Sequence, residues 1–151
     1  MSILRRIFAK PVQVPTRRVL DVATMQTLLA GRIKDRTQPN YRPVWTKERA
    51  ACVASSDIEN ASRKSFAPWV KHAWECEDQA RSLIEVAQRR GANEGHTLAL
   101  GMVFGDAPGR FQYEERHVYV FGIYENAGVN FYDPTAQRFC GPPENIYFSL
   151  L

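Results

Sequence analysis

The chain has 151 residues, of which 44% are hydrophobic and 24% charged, and a net charge of +4. That balance excludes a disordered or fibrous chain and fits one ordinary globular domain, able to bury roughly 70% of its unfolded surface without disulfides or metals. No stretch approaches the roughly 18 apolar residues of a membrane span, so no membrane partner is expected.

The basic excess lies early, at Arg5, Arg6, Lys10, Arg17, Arg18, Arg32, Lys34 and Arg36. Residues 1–20, with Pro11 and Pro15, read as a basic N-terminal arm that nucleic acid or an acidic partner can contact, with a solvated terminus as the plainer reading. Arg5 and Arg6 break the apolar residues around them, so no signal peptide is expected and the cytoplasm is the default location. Asp21 to Ile33 predicts a helix: Val22, Met25, Leu28 and Leu29 recur at helical spacing behind an Asp21 cap. Thr37–Val44, with Pro39 and Pro43, reads as loop, Thr46–Ala54 as a second helix, and Asp57–Ala61 as a short one.

The strongest helix signal starts at Cys76. Cys76, Ala80, Leu83, Ile84 and Ala87 form one apolar stripe, with acids Glu77 and Asp78 in the first turn, Arg89 and Arg90 in the last, and Gly91 as the expected C-cap. Strand patterns follow: Thr97–Phe104, His117–Tyr124, Val129–Tyr132 across an Asn-Ala-Gly turn, and Ile146–Leu151. Helices first and an antiparallel sheet after them predict an α+β fold, N-terminal helices packed on an antiparallel β-sheet, with residues 21–151 as a single domain.

Within that plan Cys76 opens a helix, His117 opens a strand, and Asp133 closes the partner strand. Antiparallel pairing brings the last two to one end of the sheet. Unpaired N–H groups at a helix start favour a thiolate, an imidazole serves as base, and a carboxylate orients it. Cys76, His117 and Asp133 are therefore the candidate catalytic residues. The Cys76 N–H is a candidate oxyanion donor; a second would come from upstream, where Tyr41, Trp45 and Trp74 read better as packing aromatics. Trp69 and Trp74 either wall a groove or pack in the core. His72 and His96 read as surface and turn residues, Cys52 and Cys140 as plain thiols. Three cysteines without a CxxC and three scattered histidines give no metal-ligand set. The segment 91–95 lacks the Lys-Ser/Thr of a phosphate loop, and no cofactor is expected.

The segments Cys76-Glu77-Asp78-Gln79-Ala80, His117-Val118-Tyr119-Val120 and Tyr132-Asp133-Pro134-Thr135 resemble the transglutaminase-like branch of the papain-like cysteine peptidases, over roughly residues 66–139. The resemblance implies a papain-like or transglutaminase-like core, with Cys76 as nucleophile, His117 as base and Asp133 as orienter. It implies a cysteine-dependent amide hydrolase or acyltransferase, working through a thioester on a peptide or other amide-containing substrate. Its alternative is an inactive transglutaminase-like binding or assembly module, of bacterial or phage type, whose basic arm contacts nucleic acid or an acidic partner.

Overall fold

The computed structural model describes residues 16–67, 75–107, 117–126 and 128–151. Residues 1–15 of the expected arm, Trp69, His72 and Trp74 lie outside them. The elements run β1 (Val19–Asp21), α1 (Val22–Ile33), β2 (Thr37–Val44), β3 (Arg49–Ala51), α2 (Ser55–Ser65), α3 (Cys76–Asn93), β4 (Leu100–Asp106), β5 (His117–Tyr124), β6 (Gly128–Asp133), β7 (Arg138–Cys140) and β8 (Glu144–Leu150).

A six-stranded sheet in the order β2-β8-β4-β5-β6-β7 forms the centre, and β1 pairs with β3 in a separate two-stranded ribbon. In the large sheet β2 runs parallel to β8, and the other neighbours are antiparallel. Both faces are covered. Tyr119, Phe121 and Ile123 of β5 point into a core shared with Met25, Leu29 and Ile33 of α1. Val118, Val120 and Tyr124 point the other way, into a core shared with Ile58 and Ala61 of α2 and Ala80, Leu83 and Ala87 of α3. This two-sided cover explains why β5 is buried along nearly its whole length rather than alternating. Each buried aliphatic side chain such as Leu83 contributes about 2 kcal/mol on transfer grounds.

The expected fold class, N-terminal helices packed on an antiparallel sheet with a papain-like or transglutaminase-like core, is corrected here. The sheet is mixed, helices lie on both of its faces, and three strands precede α2. The prolines explain part of the difference. Pro39 and Pro43 sit on β2, an exposed edge strand where a missing N–H costs little, so a segment with a loop's composition is a strand. Residues 46–54 are extended because their backbone is used elsewhere: β3 pairs with β1, Thr46 N–H donates to Leu151 O, and Val53 N–H donates to Ile123 O.

α1 has the expected cap, with Asp21 accepting from Thr24 N–H at 2.7 Å. α3 runs through Gly91 to Asn93, and the left-handed turn falls at Gly95, with φ 79°. Gly91 serves packing instead, since a Cβ there would stand 2.7 Å from Leu98 Cγ. A buried ion pair ties the described N-terminal end to the helices. Arg17 holds Asp57 through two hydrogen bonds, at 2.6 and 3.0 Å, and donates from Nε to Glu94 at 3.0 Å.

Candidate functional site

α3 starts at Cys76 because Asp78 accepts from Glu75 N–H at 3.2 Å, while Ala80 and Leu83 pull the helix onto the sheet. Cys76 is half-buried against that core. His117 is the first residue of β5, and its Nε2 lies 3.0 Å from Asp133 Oδ1. The Cys76 thiol is close enough to the same imidazole to raise its pKa. With Nε2 committed to Asp133, Nδ1 is the nitrogen left for sulfur. The structure thus gathers all three residues that the sequence singled out.

Asp133 ends β6 and is held independently of the histidine. Its Oδ1 accepts from Thr135 N–H at 2.9 Å and Ala136 N–H at 3.0 Å, an Asx turn that follows from Asp-Pro. Burial alone would raise its pKa, but the hydrogen bonds from His117, Ala136 and Thr135 outweigh burial and keep it below the usual carboxylate range. For His117 burial is the largest influence and lowers the pKa. Hydrogen bonds to Asp133 and Cys76 overcome it and raise the imidazole to about 9. The ring also meets Tyr119 edge-on, at 4.7 Å between centroids and 77°.

Gln79 was not singled out by the sequence. It is buried one helical turn after Cys76, and its Oε1 accepts from Thr135 Oγ1 at 2.5 Å while its Nε2 donates to Ala67 O at 2.9 Å. One side chain therefore links the helix of Cys76, the segment before it and the turn that holds Asp133. The only sequence signal was a polar residue three places after Cys76, beside an otherwise apolar stripe.

The other candidates lie elsewhere. Tyr41 is on β2, with β8 and β4 between it and β5, and shares a 2.7 Å hydrogen bond with Ser149; Trp45 packs against the α1 side of the core. His96 lines a separate depression with Val19 and Arg49. Burial raises the pKa of the Cys52 thiol and pushes that of Cys140 up to about 11, which disfavours the thiolate at both. Among the described residues no cluster of three or more His, Cys, Asp or Glu side chains is placed to hold a metal ion, and no helix is long and apolar enough to cross a membrane.

No protein-family profile matches the chain, and no curated protein matches it in sequence. Solved structures do match. The structure described as a PSL1a–E64 complex superposes with a TM-score of 0.71 at 18% identity, over 88% of this chain and 51% of that one. Polyporus squamosus lectin, bound to the human-type influenza-binding epitope Neu5Acα2-6Galβ1-4GlcNAc, superposes with a TM-score of 0.69 at 16% identity, over 88% of this chain and 49% of that one. The chain spans about half the length of each, and the likeness is one of fold.

These matches overturn the transglutaminase-like and papain-like assignment, because the shared fold is that of a portion of a lectin. With it go the reading as a cysteine-dependent amide hydrolase or acyltransferase, its inactive transglutaminase-like alternative of bacterial or phage type, and the protease vocabulary. The expected partners, a peptide or amide substrate and nucleic acid at the arm, are corrected too: the ligands named for the matching structures are E64 and a sialylated trisaccharide.

Proposed function

We propose that Cys76, His117 and Asp133 form a nucleophilic thiol centre that makes covalent bonds to electrophilic carbon. The observation that carries this reading is the position of His117, whose Nε2 is 3.0 Å from Asp133 and whose ring is near enough to the Cys76 thiol for the sulfur to raise its pKa. Asp133 accepts from Nε2–H of a ring that is cationic at neutral pH, so the proton given up by sulfur already rests on Nδ1 and the sulfur–carbon bond forms from an ion-paired thiolate. The imidazolium then faces two anions or dipoles, which accords with its raised pKa.

Site-resolved alkylation by iodoacetamide, in which iodide leaves as the bond forms, tests this. Cys76 should be labelled well ahead of Cys52 and Cys140, and His117→Ala should slow that labelling by a factor on the order of 100 at neutral pH, as the cation that stabilises the thiolate is lost. Equal labelling of the three thiols, or a rate indifferent to His117, refutes the reading. Incubation with E64, followed by intact mass measurement, asks the same of the compound named in the PSL1a complex: the mass gain should map to Cys76.

A second reading, recognition of a sialylated glycan, is favoured by the likeness to the lectin bound to Neu5Acα2-6Galβ1-4GlcNAc. Calorimetric titration of the chain with that trisaccharide tests it, and no heat of binding at millimolar ligand removes it.

A further inference from the structure

Between the last turns of α2 and the β6–β7 turn lies a depression of about 390 Å³ that the thiol centre does not use. We propose that it is a binding site for a carboxylated saccharide. The ligand class rests on the second reading above; the site itself is argued from its lining.

Two arginines line it from different elements, Arg63 from α2 and Arg138 from β7. Arg63 donates to the neutral oxygen of Asn60, and neither arginine is paired with a carboxylate among the described residues. A planar fork of N–H donors matches a carboxylate in geometry as well as charge, and two such residues in the lining of one cavity favour an anion. Glu59 also lines the cavity, so its side chains carry a net single positive charge, enough for one carboxylate.

The remaining lining suits a sugar better than a bare anion. Phe139 is 37% exposed on the short edge strand β7, and Tyr132 holds its ring edge-to-face at 5.0 Å and 79°. A fixed, open aromatic face packs against the C–H face of a pyranose ring and supplies apolar contact without rotamer cost. The floor is closed by a buried hydrogen bond from the Tyr132 hydroxyl to Ser62 Oγ at 2.9 Å, so it makes no polar demand of its own. At the rim Gln137 has a left-handed backbone, φ 51°, in a non-glycine residue. That conformation is uncommon and costs energy; here it shapes a turn that places Gln137 and Arg138 in the lining of the same cavity. The amide of Gln137 and the carboxylate of Glu59 are hydrogen-bond partners for ring hydroxyls.

The test is calorimetric titration of the full chain with N-acetylneuraminic acid, with galactose as a neutral sugar and glutarate as a bare carboxylate. Binding of the acidic sugar, clearly tighter than either control, is expected. Affinity should fall by about tenfold or more in the Arg63→Gln/Arg138→Gln variant, the scale of a lost charge-assisted pair, and in Phe139→Ala. It should be unchanged in Cys76→Ala. All three substituted pocket positions are solvent-exposed, and retained iodoacetamide labelling at Cys76 checks that the variants fold. Undiminished binding of the acidic sugar in the double-arginine variant overturns the pocket while leaving glycan recognition standing. Absence of binding by any sugar overturns both, and equal binding of glutarate reduces the depression to a generic anion site and overturns the saccharide.

Discussion

Gln79 accepts a hydrogen bond from Thr135 at 2.5 Å, and through it the helix that begins at Cys76 is fastened to the turn that carries Asp133. Cys76 and Asp133 meet His117 from different elements, α3 and β6, so some contact must set their separation. Gln79 is buried and uses both ends of its amide for this, the other end binding Ala67 O.

Substituting Gln79→Met keeps the volume and removes both hydrogen bonds. The expected stability loss is about 1–3 kcal/mol, because the Thr135 hydroxyl and the Ala67 carbonyl lose their partner. A positioning role goes further: the pH profile of Cys76 alkylation should shift and its rate fall even at low temperature, where the variant remains folded. Unfolding by urea gives the first quantity, and the alkylation profile separates positioning from a purely structural part. An unchanged profile assigns Gln79 to stability alone.

The buried pair at the other end of α2 gives a sharper stability prediction. Asp57 is 2% exposed and meets Arg17 with two hydrogen bonds, while its Oδ2 also accepts from Ala54 N–H at 2.8 Å. Burial alone would raise the Asp57 pKa, but Arg17 and the Ala54 N–H outweigh it and hold the carboxyl below its ordinary value. Arg17→Met leaves that carboxylate buried without its cation. The expected cost is about 3–5 kcal/mol in urea unfolding at pH 7. A loss within the range of an exposed pair, about 0–1 kcal/mol, contradicts the buried clamp.

Stability should also depend on pH through His117. Its folded pKa, about 9, stands above the ordinary 6.5. The folded state therefore holds the proton more tightly, and the gain is fully present below pH 6.5 and lost as pH rises through 9. A shift of that size corresponds to about 3 kcal/mol as an upper figure. Lys47 acts in the opposite sense, since burial lowers it to about 8 and stability from that source rises with pH. The quantity to measure is the difference in unfolding free energy between wild type and His117→Gln, in which the Lys47 contribution cancels. That difference should shrink between pH 6 and pH 9.5, and a pH-independent difference is the contrary result.

Where sequence and structure agree, one local rule dominated. Asp21 caps α1, the apolar stripe from Ala80 to Ala87 sets α3, and the β-branched and aromatic run from His117 sets β5. The gathering of Cys76, His117 and Asp133 was legible because each stands at the end of such an element. Where they differ, long-range pairing decided. β2 is a strand despite Pro39 and Pro43 because β8, from the far end of the chain, pairs with it in parallel, and no local pattern encodes that partner. Residues 49–51 form a strand because β1 is there to receive them. The assignment to a family failed for a related reason: short motifs of chemistry-bearing residues carry little information about the sheet order that holds them. Gln79 was hidden because a buried polar residue at a helix start has the same composition as an exposed one until its partner, Thr135, is known.

The most direct test of the thiol centre is NMR titration of the His117 ring in wild type, Asp133→Asn and Cys76→Ala. The wild-type imidazole should titrate near pH 9, and each substitution should move it down toward the ordinary histidine value as one partner of the cation is lost. A wild-type ring that titrates at or below 6.5, or one that ignores both substitutions, contradicts the proposal that the three side chains act as one unit.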